Sequence, residues 1–260
     1  MKITKIPSPN FSNRPETAEI DTIILHYTGM KSTKEALQRM CDINTEVSCH
    51  YLIAENGEII QLVDDEFKAW HAGKSHWAGR ENLNNYSIGI EISNLGHEWG
   101  YKPFEDEQID SLIELCKSLV QNYNIKPQNI LGHSDIAPVR KEDPGELFPW
   151  KLLADEGVGL WYDFEVGKAE YKNIINISEN PTSEITKQNI INIQKKLKQV
   201  GYNVGKAGAL DEATNKAIIA FYRRFIPQRI LMCKNKRYPE YIAWDELSNT
   251  IADNIIGKIC

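Results

Sequence analysis

Long apolar segments are missing from this sequence. No apolar run approaches the roughly 20 residues that a membrane-spanning helix needs. The first residues, MKITKIPSPNFSNRPE, contain neither the apolar h-region nor the small-residue cleavage pattern of a secretory signal peptide. We therefore expect no membrane span and no Sec-type signal in the sequence as given.

Positive charge is also scarce. The 30 Lys and Arg residues are outnumbered by 36 Asp and Glu residues, which gives a formal net charge of -6. No cluster of Lys and Arg is large enough to follow a phosphate backbone, so binding driven by counterion release has little to act on. This composition argues against a nucleic-acid partner.

Cysteine is present, but not in a structural pattern. The five cysteines are an odd number and no two have CxxC spacing, so neither a disulfide framework nor a structural zinc knuckle is indicated. Cys116 falls on the apolar face of a predicted helix and is expected in the core. Cys49 adjoins His50 in a predicted strand, which leaves open a hydrolase that uses Cys49 as its nucleophile.

The overall composition is that of an ordinary folded protein. With 42% hydrophobic and 25% charged residues in a chain of 260, we expect a core domain of about 150 residues and a smaller partner. The predicted order strand, helix, hairpin, strand, helix, strand indicates an α/β fold with a mixed central sheet flanked by helices. We assign this part to residues 1–156, a connector to residues 157–184 and a small three-helix domain to residues 185–260.

Local signals predict the elements of these parts. Residues 1–20 are rich in Pro, Ser and Asn and should form an extended arm. Asn56-Gly57 lies between two β-prone segments and is a strong hairpin signal. Apolar residues at helical spacing between positions 109 and 123 predict a long amphipathic helix on one face of the sheet. Near the C-terminus, Gly201 should end one helix and Asp211 should cap the next. The buried stripe of that second helix should consist of Ala213, Ala217, Phe221 and Phe225.

Three apolar, β-prone segments each carry one ionisable side chain. His26 ends the first, Glu91 lies within the second, and His133 follows the third. A carboxylate in a core strand is costly unless it is paired, hydrogen-bonded or functional. We interpret the three segments as contributors to one site.

The segment after the third strand, GHSDIAPVRKEDPG at 132–145, adds an ammonium and a second carboxylate. Pro138 and Pro144 oppose helix formation, so a rigid loop can return Asp143 to His133. Lys141 and Asp143 are two positions apart and point the same way in extended chain. The alternative is a surface turn with solvated charges. Two His and one carboxylate, with a fourth position left to water, are typical of a catalytic zinc.

These motifs together resemble a known family. ILHYT with His26, WHAG at 70–73, NYSIGIE with Glu91, and GHSDIAPVRKEDPG followed by LFPW are similar to the zinc N-acetylmuramoyl-L-alanine amidases of the amidase-2 group. Within that group the sequence is most similar to the AmiD-type enzymes of the Gram-negative envelope. The resemblance implies an amidase-2 or peptidoglycan-recognition-like fold and one Zn²⁺ per chain. Its ligands would be His26, His133 and Asp143.

The resemblance also implies a reaction. It is hydrolysis of the amide that joins N-acetylmuramic acid to the L-alanine of the peptidoglycan stem peptide, in cell-wall turnover or recycling. Glu91 and Lys141 would be the catalytic pair, the first as the base and the second as the donor to the oxyanion. We expect Trp70, His71 and Arg140 to contact the substrate. For His71, a hydrogen bond to a metal ligand or an ordinary buried histidine is also open.

The partner expected from the resemblance is peptidoglycan or a muropeptide, bound by a monomer. The segments IQKKLKQVGY and LDEATNKAIIAFYRRF resemble the three-helix peptidoglycan-binding domain, although Tyr222 stands where that domain often has Gln. Glycan binding and mere packing both stay open for this part. Cytosolic recycling amidases carry basic residues where this sequence has Ala54-Glu55 and Asn82, which favours the broader AmiD-type specificity.

Two other functions and two locations stay open. A peptidoglycan-recognition protein could bind the stem peptide without metal, and a Cys49-dependent hydrolase could use the same fold. The resemblance implies the cell envelope, periplasmic or secreted, while the lack of a visible signal peptide makes the cytoplasm the alternative.

Overall fold

The computed structural model describes residues 1–167, 184–232 and 244–259. Most of the predicted connector, residues 168–183, lies outside the described residues, as do Cys233 and Cys260. The strands are β1 (Ile3–Lys5), β2 (Phe11–Asn13), β3 (Thr22–Tyr27), β4 (Tyr51–Ile53), β5 (Ile59–Gln61), β6 (Phe67–Ala69), β7 (His76–Trp77), β8 (Arg80–Glu81), β9 (Ser87–Ile92) and β10 (Ile130–Gly132). The helices are α1 (Thr33–Cys41), α2 (Gly96–Trp99), α3 (Asp106–Tyr123), α4 (His133–Ile136), α5 (Trp150–Asp155), α6 (Glu184–Val200), α7 (Glu212–Phe225), α8 (Pro227–Leu231) and α9 (Glu246–Ile259). Short 3-10 helices occupy Ile43–Thr45, Leu83–Asn85 and Pro127–Asn129.

Six strands form a mixed sheet in the order β1-β5-β4-β9-β3-β10. The β3 strand pairs in parallel with both β9 and β10, and β4 pairs in parallel with β9 but antiparallel with β5. The predicted hairpin at Asn56-Gly57 joins β4 to β5. The mixed α/β fold predicted from the sequence is therefore confirmed. Because β3 and β9 are central and covered on both faces, both have nearly continuous apolar sequences.

One face of the sheet is covered by α3, the long helix predicted between positions 109 and 123. Ile23 and Leu25 of β3 and Ile90 of β9 pack against its residues Leu112 and Cys116. Cys116 is fully buried, as expected.

The opposite face is covered in two separate places. Leu52 of β4 packs under α1, and Ile24 of β3 packs under the C-terminal helices together with Leu131 of β10. By strand alternation, His26 and Glu91 point to this second face, where they are register partners on β3 and β9. Their side chains therefore lie between α1 and the C-terminal helices.

The C-terminal part contains the three predicted helices, α6, α7 and α9, and the short α8. Helix α6 ends immediately before Gly201, and Asp211 caps α7 by accepting a 3.0 Å hydrogen bond from the Thr214 amide. Of the predicted stripe, Ala217, Phe221 and Phe225 are buried, whereas Ala213 is only half-buried. Helix α7 is buried on every side from Ala217 to Phe225, which goes beyond the single stripe predicted. Its other side packs against the sheet, so one hydrophobic core runs through both parts. The division at residues 157–184 stays a prediction.

The N-terminal arm is extended, as predicted, but it also pairs with the rest of the chain. The β1 strand adds to the sheet in parallel with β5, and β2 pairs antiparallel with β6. Without β1, β5 would present a row of unpaired backbone groups at the edge of the sheet. The arm therefore covers an edge. None of the described helices combines the length and the apolar character that crossing a lipid bilayer requires.

Candidate active site

Three ligand-type atoms meet on the second face of the sheet. His26 Nδ1 lies 2.9 Å from His133 Nδ1, and Asp143 Oδ2 lies 3.0 Å from each of these nitrogens. All three side chains are buried, with at most 6% of their residue surface exposed. Within the described residues, this is the group of His, Cys, Asp or Glu side chains whose donor atoms lie close enough to hold a metal ion.

The local sequence explains why these residues converge. His133 follows β10 directly, and β10 runs parallel to β3, so His133 emerges beside His26 at the same edge. The loop then returns, because the Ser134 amide donates a 2.8 Å hydrogen bond to the carbonyl of Asp143. Gly132 permits this return, since a Cβ there would lie 2.7 Å from Cδ of Pro144.

The residues around Pro138 differ slightly from the prediction. One helical turn, α4, forms directly after β10 and carries His133. The turn ends at Ile136, and Ala137 has already left the helical region. A residue that precedes proline is restricted in this way, so Pro138 limits the helix to one turn and does not prevent it.

A chain of hydrogen bonds fixes the tautomer of His26. The Ser87 hydroxyl donates to the carbonyl of Leu83 at 2.7 Å, so its oxygen accepts the Nε2–H of His71 at 3.3 Å. His71 Nδ1 is then an acceptor, and it lies 3.0 Å from Nε2 of His26. His26 must carry its proton on Nε2, which leaves the lone pair of Nδ1 directed at Asp143 and His133.

His133 is oriented in the same sense by a backbone group. Its Nε2 lies 3.2 Å from the carbonyl oxygen of Ala72, an acceptor only, so the proton of the ring sits on Nε2. The lone pair of His133 Nδ1 therefore also points into the cluster.

The ionisation states complete the donor set. Burial, and then the neighbouring His133, lower the pKa of His26 to about 4. Burial alone would raise the pKa of Asp143, but the charge and hydrogen bond of His133 and the hydrogen bond of His26 outweigh it, and the pKa lies well below its usual range. Near neutral pH the cluster thus presents a neutral imidazole at His26 and a carboxylate at Asp143.

This donor set fits a zinc ion. In these tautomers the Nδ1 atoms of His26 and His133, 2.9 Å apart, are both acceptors and cannot hydrogen-bond to each other. A shared cation can bind both of them. Tetrahedral zinc with bonds of about 2.0–2.2 Å to N and O holds its ligand atoms about 3.3 Å apart. The observed triangle of 2.9–3.0 Å is close to that size.

The cluster opens into a cleft of about 540 Å³. Seven of the predicted site residues line it: Trp70, His71, Glu91, His133, Arg140, Lys141 and Asp143. His26, the eighth, lies behind them and is 1% exposed. The structure therefore brings all of the predicted residues to one place.

Glu91 is a half-buried residue of the cleft whose carboxylate has one enclosed oxygen. Its Oε2 atom is inaccessible and accepts no hydrogen bond from any described residue. Burial raises the pKa of Glu91 well above its usual range, and the charge of Asp143 adds to this rise, while Lys141 acts against it. Lys141 is half-buried in the same cleft. Such a carboxylate is poised to bind a proton.

Arg140 and Trp70 are tied to the protein as well as to the cleft. The Arg140 guanidinium donates to the carbonyls of Ala72 and, at 2.7 and 3.0 Å, of Lys74. The indole N–H of Trp70 donates to the Ser12 hydroxyl at 3.2 Å. Arg140 thereby joins the WHAG loop to the loop of His133.

Cys49 is poorly placed to act as a nucleophile. Its side chain is fully buried, and its Sγ donates to the carbonyl of Tyr51 at 3.1 Å. Burial raises the pKa of this thiol well above its usual value, which keeps it protonated. The structure therefore does not favour a Cys49-dependent hydrolase.

Gly89 is a contributor that the sequence reasoning missed. A Cβ at this position would lie 2.4 Å from the ring of His71, so only glycine leaves room for the imidazole that orients His26. A glycine inside an otherwise apolar strand is a signal of close approach by another group. The sequence SIGIEI of β9 contains such a glycine.

Comparison with known proteins agrees with this geometry. Residues 16–146 match the model of the family described as N-acetylmuramoyl-L-alanine amidase, Amidase_2. The chain belongs to this family. It is 37% identical to the N-acetylmuramoyl-L-alanine amidase AmiD of Escherichia coli K12 over 220 residues, which cover 80% of this chain and 75% of AmiD. It is 35% identical to the 1,6-anhydro-N-acetylmuramyl-L-alanine amidase AmpD of Haemophilus influenzae over 165 residues, 56% of this chain and 88% of AmpD.

Solved structures extend the likeness of this amidase to nearly its whole length. AmiD of E. coli, in complex with the substrate anhydro-N-acetylmuramic acid-L-Ala-D-gamma-Glu-L-Lys, superposes with a TM-score of 0.71 at 31% identity and covers 95% of this chain and 93% of its own. AmpDh3 of Pseudomonas aeruginosa, in complex with anhydromuramic pentapeptide, gives 0.70 at 28% identity and 98% coverage of both chains. The family and fold inferred from the motifs are confirmed.

Proposed function

We propose that this amidase is a zinc-dependent hydrolase of the amide between N-acetylmuramic acid and the L-alanine of the stem peptide, acting in cell-wall turnover or recycling. The observation that carries the proposal is the buried triangle of His26, His133 and Asp143 at the wall of a cleft that also contains Glu91 and Lys141. The names of AmiD and AmpD support the choice of bond.

In this proposal His26, His133 and Asp143 hold one zinc ion. When bound, zinc lowers the pKa of water toward about 7 and polarises a carbonyl as a Lewis acid. The hydrogen bonds that His26 and His133 donate to His71 and to the Ala72 carbonyl support the role of the two histidines, because they fix the tautomers that leave both Nδ1 lone pairs available.

Glu91 is proposed as the general base. It would accept a proton from the attacking water and give it to the departing amine, which otherwise leaves poorly. Its enclosed Oε2 atom supports this role, because no donor of a described residue occupies this oxygen, which can therefore accept the proton. The raised pKa of Glu91 favours capture of a proton from the attacking water.

Lys141 is proposed as the donor that stabilises the oxyanion of the tetrahedral intermediate. Replacing it with methionine should lower kcat roughly 100- to 1000-fold, as the loss of such donors does. Lys141 also lowers the pKa of Glu91. A base works only when deprotonated. Loss of Lys141 should therefore raise the pKa of Glu91 and shift the acidic limb of the pH–rate profile to higher pH.

Steady-state kinetics across pH would measure both effects. Lys34→Met, an exposed lysine on α1 that does not line the cleft, is the matched control and should behave like wild type. A Lys141→Met enzyme with unchanged kcat and an unchanged acidic limb would contradict the assignment.

Trp70, His71 and Arg140 stay proposals as substrate contacts. For Trp70, the position of the half-buried side chain in the wall of the cleft supports contact with the substrate. Trp70→Ala should raise KM about threefold to tenfold through the lost aromatic contact, while Trp70→Phe should retain most of it. If KM were the same for wild type, Trp70→Ala and Trp70→Phe, Trp70 would not contact the substrate.

His71 accepts a hydrogen bond from His26, and Arg140 donates to the Ala72 carbonyl that also accepts from His133, so these contacts favour support of the metal ligands over direct contact with substrate. Binding of a product muropeptide to His71→Gln and Arg140→Gln, measured by calorimetry, would distinguish the two roles. An unchanged affinity would exclude substrate contact.

The proposed function is tested by metal analysis together with digestion. The purified protein should contain one zinc per chain and release stem peptides from sacculi or anhydro-muropeptides, as identified by mass spectrometry. A chelator should abolish the release, whereas a thiol alkylator should not, because Cys49 is buried. Binding of muropeptides without metal or hydrolysis would instead favour a peptidoglycan-recognition protein.

We propose the cell envelope as the place of action, by similarity to AmiD. Fractionation of the producing cells tests this, and recovery of the protein only with cytoplasmic markers would support the recycling alternative. The same digestion resolves the preference for anhydro or ordinary muramyl substrates, since the anhydro-muramyl product differs in mass from the ordinary muramyl product.

A further inference from the structure

The helical turn that carries His133 is held by the C-terminal helices. Asp135, in the same turn, is 1% exposed and both of its carboxylate oxygens are used. Oδ1 accepts a 2.6 Å hydrogen bond from the hydroxyl of Tyr202. Oδ2 accepts from Nη1 of Arg224 at 2.7 Å and from the amide of Gly132 at 2.8 Å. Two of these three donors belong to the C-terminal part of the chain.

Arg224 connects several elements around this turn. Its Nη2 donates to the carbonyl of Ile130 in β10 at 2.9 Å, and its guanidinium lies 4.1 Å from the ring centre of Trp150 in α5. Arg224 is 3% exposed. One buried cation therefore fixes the strand before His133, the turn that contains it, and the helix that follows the loop.

A second contact holds the other end of the metal-binding loop. Arg223, also 3% exposed, lies with Nε 3.3 Å from Oε2 of Glu146, three residues after Asp143. Neighbouring residues of α7 thus contact the loop on both sides of its metal ligands.

Packing alone does not explain these polar contacts. The same interface has apolar contacts such as Trp77 against Tyr202, with ring centres 4.9 Å apart. Replacing a buried ion pair by apolar residues of similar volume is often neutral or stabilising, so such a pair is weak evidence for stability. Its directional hydrogen bonds instead restrict the orientation of the groups that it joins.

We propose that Arg224 and Tyr202 are positioning residues for the metal site. Through Asp135 they hold the α4 turn in the orientation in which His133 Nδ1 meets His26 and Asp143. The inference rests on the proposed function, because it takes these three residues as zinc ligands. It gives the C-terminal helices a part in catalysis that is independent of any binding of glycan.

Two substitutions test the proposal. Arg224→Met removes the cation, and Tyr202→Phe removes only one hydroxyl. Outer hydrogen-bond partners of metal ligands typically contribute about 10- to 100-fold to metal affinity. We expect Arg224→Met to raise the Kd for zinc tenfold or more and Tyr202→Phe to raise it severalfold, both measured by chelator competition. The visible spectrum of the cobalt-substituted protein should also change, because it reports ligand geometry.

Arg229→Met is the matched control. Arg229 is 5% exposed and pairs with the buried Asp245, which directly precedes α9, and it also donates to Tyr222 of α7 and Ser248 of α9. Its loss should lower the melting temperature as the loss of Arg224 does, but should leave zinc affinity and the cobalt spectrum unchanged. Arg224→Lys, which keeps the charge, should restore part of the affinity. All measurements are made below the onset of unfolding by circular dichroism, and Tyr202→Phe serves if Arg224→Met does not fold.

Two results would overturn the inference in distinguishable ways. If wild type binds one zinc and the Arg224 and Tyr202 variants bind it as tightly as Arg229→Met does, the contacts only pack the two parts, and the proposed function stands. If wild type itself binds no zinc and cleaves no muropeptide, the proposed function fails and the positioning role fails with it.

Discussion

Replacing Asp143 with alanine should remove both the bound metal and the hydrolysis of muropeptides. Asp143 Oδ2 lies 3.0 Å from both imidazole nitrogens and is the only anionic member of the triangle. Loss of an outer partner costs about 10- to 100-fold in metal affinity, so loss of a direct ligand should cost more than about 100-fold. Metal content after dialysis and titration with zinc would measure the effect.

Asp65→Asn is a suitable control for this experiment. Asp65 is also a partly buried carboxylate, but it accepts hydrogen bonds from Tyr51 and Tyr123, and none of these three residues lines the cleft. Its substitution can lower stability without loss of zinc. Retention of one zinc per chain and of normal turnover by Asp143→Ala would show that Asp143 is not a ligand.

Replacing Glu91 with glutamine should abolish most turnover and leave zinc bound. Glutamine keeps the volume of the side chain in β9 but cannot accept the proton, so kcat should fall about 100- to 10,000-fold, the usual contribution of general acid–base catalysis. Because Glu91 is not part of the triangle, the Kd for zinc should change little. Kinetics with a defined muropeptide and metal analysis of the same sample are both needed.

Glu98 offers a matched carboxylate in the same cleft. Glu98→Gln changes the cleft charge by the same amount, so a comparison of the two variants separates loss of the base from loss of negative charge. Hydrolysis by Glu91→Gln or Glu91→Ala at near wild-type rate would show that another group is the base.

Much of the site could be predicted because its residues break a local rule. An apolar strand that ends in His26 or contains Glu91 places a polar group where burial is costly, and this is visible in the sequence itself. The parallel pairing of β3 with β9 and β10 then brings such positions together, since parallel strands present the same end at one edge. These signals and the family motifs led to the same residues.

The contacts of α7 could not be predicted in this way. Arg223 and Arg224 stand at the end of an amphipathic helix, where two basic residues normally face water and interact favourably with the helix dipole. Their partners, Asp135 and Glu146, lie far away in the sequence. No local sequence pattern specifies which carboxylate a buried arginine will contact. The amphipathic pattern of α7 predicted one buried face and did not predict the second. The pairing of β1 with the sheet edge was missed for the same reason.

The continuous core limits which C-terminal helical modules recombination could join to this sheet. If recombination at the connector joined this sheet to an unrelated helical module, Ile24 and Leu131 would face water and the Asp135 carboxylate would lose its cation. A substitution on one side of this interface therefore requires a matching residue on the other side. A graft that preserved the active-site motifs would still need a donor module with a tyrosine and an arginine at the same points.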